Sequence, residues 1–96
     1  MKYGLSEISY KKIKEVINKY PNYDFIIYGS RARGDYKNGS DLDIAVDGNI
    51  DEREQFMILN SFDLLDIPYM LDIVFMKKIQ KKELIDSIKR DGVKFE

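Results

Sequence analysis

From Asp41 to Asp47 the chain alternates without a break, with Leu42, Ile44 and Val46 on one side and Asp41, Asp43, Ala45 and Asp47 on the other. A period of two is that of a β-strand, because successive side chains leave opposite faces. One face of this strand is greasy and must be covered. The other presents carboxylates, with Asp41 and Asp43 about 7 Å apart along the strand. Any fold for this chain has to bury one side of the strand and find a use for the acids on the other.

The flanking segments supply the covering layers. Ser6 is placed to cap a helix, with Leu5 positioned to staple onto Tyr10. Ile8, Ile13, Val16, Ile17 and Tyr20 follow at helical spacing, and Pro21 ends the pattern. Phe25-Ile26-Ile27-Tyr28 is a short continuous apolar run, as in a strand buried on both faces. Gly29-Ser30 closes it and opens a polar stretch to Ser40, in which Asn38-Gly39 is a turn signal. After Gly48-Asn49, Asp51 and Glu52 suit a helix N-terminus, with Phe56, Ile58, Leu59, Phe62 and Leu65 as its core face. Ile67-Pro68 ends that helix. Tyr69 to Met76 reads as a third strand, and a last helix spans about Gln80 to Asp91, with Leu84, Ile85 and Ile88 inward and Gly92 as its stop. Val93 and Phe95 are expected to tuck the tail against the core. The fold class expected is α/β (α+β), a small mixed β-sheet flanked by helices, in one domain over residues 1–96.

Composition narrows the chemistry. The chain has 96 residues, with 16 Lys and Arg against 17 Asp and Glu, so no global basic field exists to hold nucleic acid, and direct nucleic-acid binding is not expected. It has no cysteine and no histidine. Thiolate chemistry, the usual zinc ligands and the usual general base are all absent. Catalysis has to run on carboxylates, hydroxyls, lysines, arginines or a hard metal ion. The N-terminal residues do not form the apolar core of a signal peptide, and no apolar run is long enough to span a bilayer. No membrane association and a cytoplasmic location are the expectations.

The acids are the first candidates. Asp41 and Asp43 on one strand face would repel each other unless solvated or bridged by a cation. Asp72 interrupts an otherwise apolar run, Met70 to Phe75. If its strand lies beside that of Asp43, the carboxylates can share Mg²⁺, which takes one or two carboxylates plus substrate phosphates. Two such ions roughly 4 Å apart suit in-line phosphoryl displacement. The plain alternative is a solvated strand face. Gly29-Ser30 lets a ligand approach the backbone and offers a hydroxyl and N–H groups to phosphate, but a Gly-Ser pair is more often only a turn. Arg31 and Arg33 pair well with phosphate oxygens, or else are surface charge balanced by Asp35. Tyr28 and Tyr36 are close enough in sequence to stack on a base, or simply pack in the core. Lys77, Lys78, Lys81 and Lys82 form a basic cluster that is either a solvated helix entrance or a docking edge for an acidic partner or the substrate phosphates.

Taken together, Gly29-Ser30-Arg31-Ala32-Arg33-Gly34-Asp35, then Gly39-Ser40-Asp41-Leu42-Asp43-Ile44-Ala45-Val46, with a further strand acid at Asp72, resembles the DNA polymerase β-like nucleotidyltransferase superfamily. Within it the segment is similar to the minimal nucleotidyltransferase (MNT) group, over almost the whole chain. The resemblance implies a palm-like core, Asp41 and Asp43 as ligands of two Mg²⁺ ions, and Asp72 as ligand of the catalytic one. It implies that Gly29, Ser30, Arg31, Arg33 and Ser40 bind ATP or another nucleoside triphosphate. Many relatives pair with a HEPN-domain ribonuclease toxin as its antitoxin, and some transfer AMP to a tyrosine of the toxin. The expected function is therefore AMP transfer to a hydroxyl of such a partner. The alternatives are an antitoxin that neutralises by contact alone and a Mg-nucleotide sensor.

Overall fold

The computed structural model describes residues 2–96; Met1, the first residue of the expected domain, lies outside them. The elements run α1 (Glu7–Asn18), β1 (Asp24–Tyr28), α2 (Ser30–Arg33), β2 (Leu42–Asp47), α3 (Glu52–Asp63), β3 (Leu71–Phe75), α4 (Lys82–Asp91) and β4 (Val93–Lys94), with a 3-10 turn at Met76–Lys78. The strands form one sheet in the order β3-β2-β1-β4. β2 is antiparallel to β1 and parallel to β3, and β4 is antiparallel to β1. The sheet is thus mixed and helix-flanked, as the alternation and the helical periods imply. A parallel neighbour needs a crossover, and α3 is that crossover.

Local chemistry sets the helix starts. Ser6 Oγ accepts from the Ser9 N–H at 3.2 Å, and Asp51 Oδ1 accepts from the Glu54 N–H at 2.8 Å. Each satisfies one of the N–H groups that the first turn leaves without an internal partner.

The sheet has two unlike faces. On the first, Phe25 and Ile27 of β1, Leu42, Ile44 and Val46 of β2 and Phe75 of β3 meet Ile13 and Val16 of α1 and Ile58 and Phe62 of α3. Leu5 and the tail residue Phe95 close this core, and Tyr10 stacks on Phe95 with ring centroids 5.2 Å apart. The second face is smaller: Tyr28 and Ala45 pack against Ile88 of α4, with Ile26, Val74 and Leu84 around them.

Several expectations need correction. Ile8 is 69% exposed, and Ser9 holds the buried place instead, its hydroxyl bonded to Ser6 Oγ at 3.0 Å. On α3, Ile58 and Phe62, four residues apart, share the buried stripe. Phe56 precedes Ile58 by two residues, about 200° around the helix, and is 69% exposed, while Leu59 is also exposed. The tail is more than a tuck. Val93 and Lys94 pair with Ile27 and Ile26 as a fourth strand, which leaves Val93 itself exposed. Gly92 does end α4, but in an extended conformation, φ −66° and ψ 139°, because the chain passes straight into β4. Among the described residues no helix is long and apolar enough to cross a membrane.

Gly92 is required for space. A Cβ there would land on the Ile88 carbonyl oxygen and stand 2.7 Å from Ile26 Cγ2. Gly92→Ala is expected to destabilise the fold by about 1–3 kcal/mol, the range for overpacking, read as a lower urea midpoint with an unchanged denaturant slope.

Candidate functional site

Residues paired across a ladder project from the same face, so strand register alone builds the centre of the site. Tyr28 pairs with Asp43 in the antiparallel ladder, and Asp43 pairs with Asp72 in the parallel one. The three side chains form a row across β1, β2 and β3 on the second face. Further along the same face Ala45, Val74 and Ile26 lie under α4. The row marks where the cover of α4 gives out: apolar residues sit beneath the helix, and carboxylates stand beyond it. Asp43 is half-buried and Asp72 exposed, while Asp41 is exposed one residue ahead of β2.

Gly29 brings the backbone onto this row. It follows β1 at φ 76° and ψ −154°, a conformation open to glycine alone, and a Cβ there would stand only 2.5 Å from Asp43 Oδ2. The chain then turns directly into α2, so Ser30 and the first N–H groups of α2 begin beside the carboxylate. Those N–H groups have no acceptor within the single helical turn.

The electrostatics follow from crowding. Burial pushes the Asp43 carboxyl above its ordinary value of 3.8; Asp72 and then Asp41 push it further, and Arg33 opposes them. Burial, with Asp43 and Asp72 adding to it, raises the Tyr28 hydroxyl to about 12. Both shifts come first from burial and then from the neighbouring carboxylates.

The two arginines of the motif part company. Arg33 is half-exposed, pairs with Asp35 at 3.2 Å and Asp91 at 3.8 Å, and acts on Asp43. Arg31 is buried, and its guanidinium donates to the carbonyl oxygens of Tyr3, Gly4 and Ser40 at 3.0–3.2 Å. That guanidinium is not presented to a phosphate. Ser40 Oγ accepts from the Lys37 N–H at 2.9 Å, which places the hydroxyl in its own turn. Tyr36 lies over Arg31. The lysine cluster follows the C-terminal end of β3, with Lys77 and Lys78 in the 3-10 turn beyond Phe75 and Asp72 near the strand's other end, so it is not gathered into the acidic row.

Among the described residues no three acids are drawn close enough to hold a metal ion unaided. The donor set nevertheless fits Mg²⁺. It consists of hard oxygens, it carries repulsion that Arg33 offsets only in part, and Mg²⁺ usually takes one or two carboxylates and completes its shell with substrate phosphates and water.

The family model described as Polymerase beta, Nucleotidyltransferase matches residues 11–95. The chain belongs to that family. No curated protein sequence matches it. Solved structures similar in fold include a chain from a toxin–antitoxin complex with AMP-PNP, at 21% identity and TM-score 0.66, covering 91% of this chain and 72% of that one. A putative nucleotidyltransferase from Sulfolobus solfataricus aligns at 24% identity and TM-score 0.54, covering 93% and 77%. A chain from the complex of tri-AMPylated Shewanella oneidensis HEPN toxin with MNT antitoxin aligns at 18% identity and TM-score 0.59, covering 94% and 71%.

In this nucleotidyltransferase domain the residue that sequence reasoning underrated is Tyr28. It is the core residue that its apolar run implies, and its register partner is Asp43. The ladder itself was the missing signal, since the pairing of β1 with β2 fixes the neighbour and composition does not.

Two outcomes follow from the charge crowding. A carboxyl whose pKa is raised by folding loses stability when ionised, so Asp43 weakens the ligand-free fold above its folded pKa and the penalty vanishes as pH falls through it. Asp43→Asn is therefore expected to melt higher than the wild type at neutral pH, with the gain shrinking towards pH 4. Tyr28 carries the same sign at the alkaline end: between its ordinary value of 10.0 and about 12 the unfolded chain ionises first, and stability drains away as pH rises. Tyr28→Phe should flatten that decline, read as the difference between the two unfolding curves over this window.

Proposed function

We propose that the chain is a Mg²⁺-dependent nucleotidyltransferase that moves AMP from ATP, or the corresponding monophosphate from another nucleoside triphosphate, onto a hydroxyl of a partner protein. The observation that carries this reading is the Asp43–Asp72 pair held on the open end of the sheet directly against Gly29-Ser30. Two carboxylates crowded together raise the free energy of the empty site, and a cation bridging to phosphates relieves it.

Asp41, Asp43 and Asp72 would hold two Mg²⁺ ions. Bound there, they would supply neutralisation of the triphosphate and of the departing pyrophosphate. The chain's own groups position the rest. Ser30 Oγ and the free N–H groups at the start of α2 hold phosphate oxygens, with Arg33 at the rim. A carboxylate oxygen of Asp72, the outermost of the row, takes the proton as the acceptor oxygen bonds to the α-phosphorus. The bond from that phosphorus to the bridging oxygen breaks, and pyrophosphate leaves.

A protein acceptor is favoured by what lies beside Asp72. A groove of about 610 Å³ runs between α3, the residues that follow it and β3, lined among others by Phe56, Leu59, Met70 and Asp72. Phe56, Leu59 and Met70 are exposed. Apolar surface contiguous with the acid is suited to a macromolecule that brings the other wall of the site. The fold's likeness to chains from toxin–antitoxin complexes, one of them with an AMPylated HEPN toxin, makes a HEPN-type toxin the partner to test and its tyrosine the acceptor.

Incubation with Mg·ATP and the candidate toxin is expected to raise the toxin's intact mass by whole AMP units. Asp43→Asn should slow this at least about a hundredfold, the order seen when a group acting on transition-state charge is removed. A toxin that binds tightly but never gains mass would make contact, and not transfer, the mode of action.

A further inference from the structure

Arg31 is the one buried cation among the described residues, and it makes no ion pair among them. Burying a charge without a counter-ion is expensive unless its hydrogen-bonding groups are matched. Here the matching is dense. Nη1 donates to Tyr3 O at 3.0 Å and Gly4 O at 3.2 Å, while Nε and Nη2 donate to Ser40 O at 3.2 and 3.0 Å. The guanidinium carbon also stands 5.0 Å from the centroid of the Tyr36 ring and 4.9 Å from that of Tyr69. The backbone has been shaped around it. Tyr3 and Gly4 sit consecutively at φ 57° and 69°, Tyr3 being the one non-glycine residue at positive φ among those described. Their two carbonyls thereby converge on one nitrogen.

The consequence lies in what the contacts join. Arg31 belongs to α2, one residue after Ser30. Ser40 directly precedes Asp41, in a turn closed by Ser40 N–H to Lys37 O at 3.0 Å. The guanidinium therefore ties the loop that enters β2 to the helix turn that follows β1. These are the two sides of the acidic site, and the Tyr3–Gly4 turn is the third point of the tie.

We propose that Arg31 is a positioning residue that sets Asp41 and Asp43 at a fixed distance from Ser30 without touching the nucleotide. This rests on the reading of that site as a Mg·nucleotide site. Lysine cannot replace it, because a single ammonium lacks the planar fork that reaches all three carbonyl groups and packs against the two rings. Misplacement of a ligand set by about 1 Å is enough to cost up to 10²-fold.

The test compares the wild type with Arg31→Lys, with Tyr36→Ala, which removes one of the two rings beside the guanidinium at a half-exposed position, and with Ile13→Val, a core change on the face of the sheet away from the acidic row. Titration calorimetry with ATP in EDTA and with Mg·ATP gives the factor by which Mg²⁺ tightens binding. Amide hydrogen exchange reads residues 37–42. Arg31→Lys is expected to reduce the Mg²⁺ factor about tenfold and to speed exchange at 37–42 while α1 and α3 stay protected. Tyr36→Ala should do the same more weakly, and Ile13→Val should lower the melting temperature yet leave the factor unchanged. An unchanged factor and unchanged exchange at 37–42 in Arg31→Lys would overturn the proposal. So would global unfolding of both Arg31→Lys and Tyr36→Ala, which would make the tie a requirement of the fold. A wild type with no Mg²⁺ factor at all would count against the nucleotide site instead, and exchange at 37–42 would then decide the role of Arg31 alone.

Discussion

Parallel pairing of β2 with β3 sets Asp43 directly beside Asp72, and the rest of the site is arranged around that juxtaposition. Because ladder partners share a face, one register decides both where the carboxylates meet and which side of the sheet they occupy. A shift by one residue would exchange Asp43 for Leu42 or Ile44 and carry the acids into the main core. The greasy face of β2 guards against this: Leu42, Ile44 and Val46 are almost completely buried, and a one-residue slip would turn all three away from the core. The hydrophobic effect thus enforces the electrostatic strain. The acids are held together by the burial of their sequence neighbours and by no attraction of their own.

That division of labour explains why so much was legible from the sequence. The alternation through Asp41–Asp47 is a one-dimensional signal and gave both the strand and its acidic face. The helices followed from periods and caps. What failed depended on three-dimensional neighbours. Phe56 and Leu59 satisfy a loose helical pattern, but Ile58 and Phe62 decide which stripe α3 buries. Two residues of β4 carry too little pattern to announce a strand; their pairing is created by β1, whose outer edge Gly92 allows the chain to reach. Tyr28 is a core residue, as its apolar run implies, and only the ladder shows that it also lies beside Asp43.

The Arg31–Arg33 pair shows the limit of residue-type reasoning most clearly. Both follow Gly29-Ser30, both are arginine, and sequence alone treats them alike. In a single helical turn, positions two apart project about 200° from each other, so one must turn inward if the other faces the acids. Arg33 pairs with Asp35 and Asp91, and its charge opposes the rise at Asp43. Arg31 turns into the junction of three segments and is satisfied by carbonyl groups. The same chemistry therefore serves charge balance in one case and geometry in the other, with α2 as the switch between them.

A small domain has few ways to hold an uncomfortable cluster of charges steady. In a chain of 96 residues the core is limited, and the free energy available to oppose a local strain is only a few kcal/mol. The design seen here confines the strain to one edge. The first face of the sheet, closed by α1, α3 and Phe95, carries nearly all of the largest buried side chains and no carboxylate. The second face is covered only as far as Ala45 and Val74, and the acids begin where that cover ends. Solvent reaches Asp41 and Asp72 at the open end, while Asp43 is half-buried and burial raises its carboxyl. Extending α4 across the row would add apolar contact but would remove the access that a phosphate needs. The short cover is thus the structural expression of a compromise between a stable sheet and a usable site.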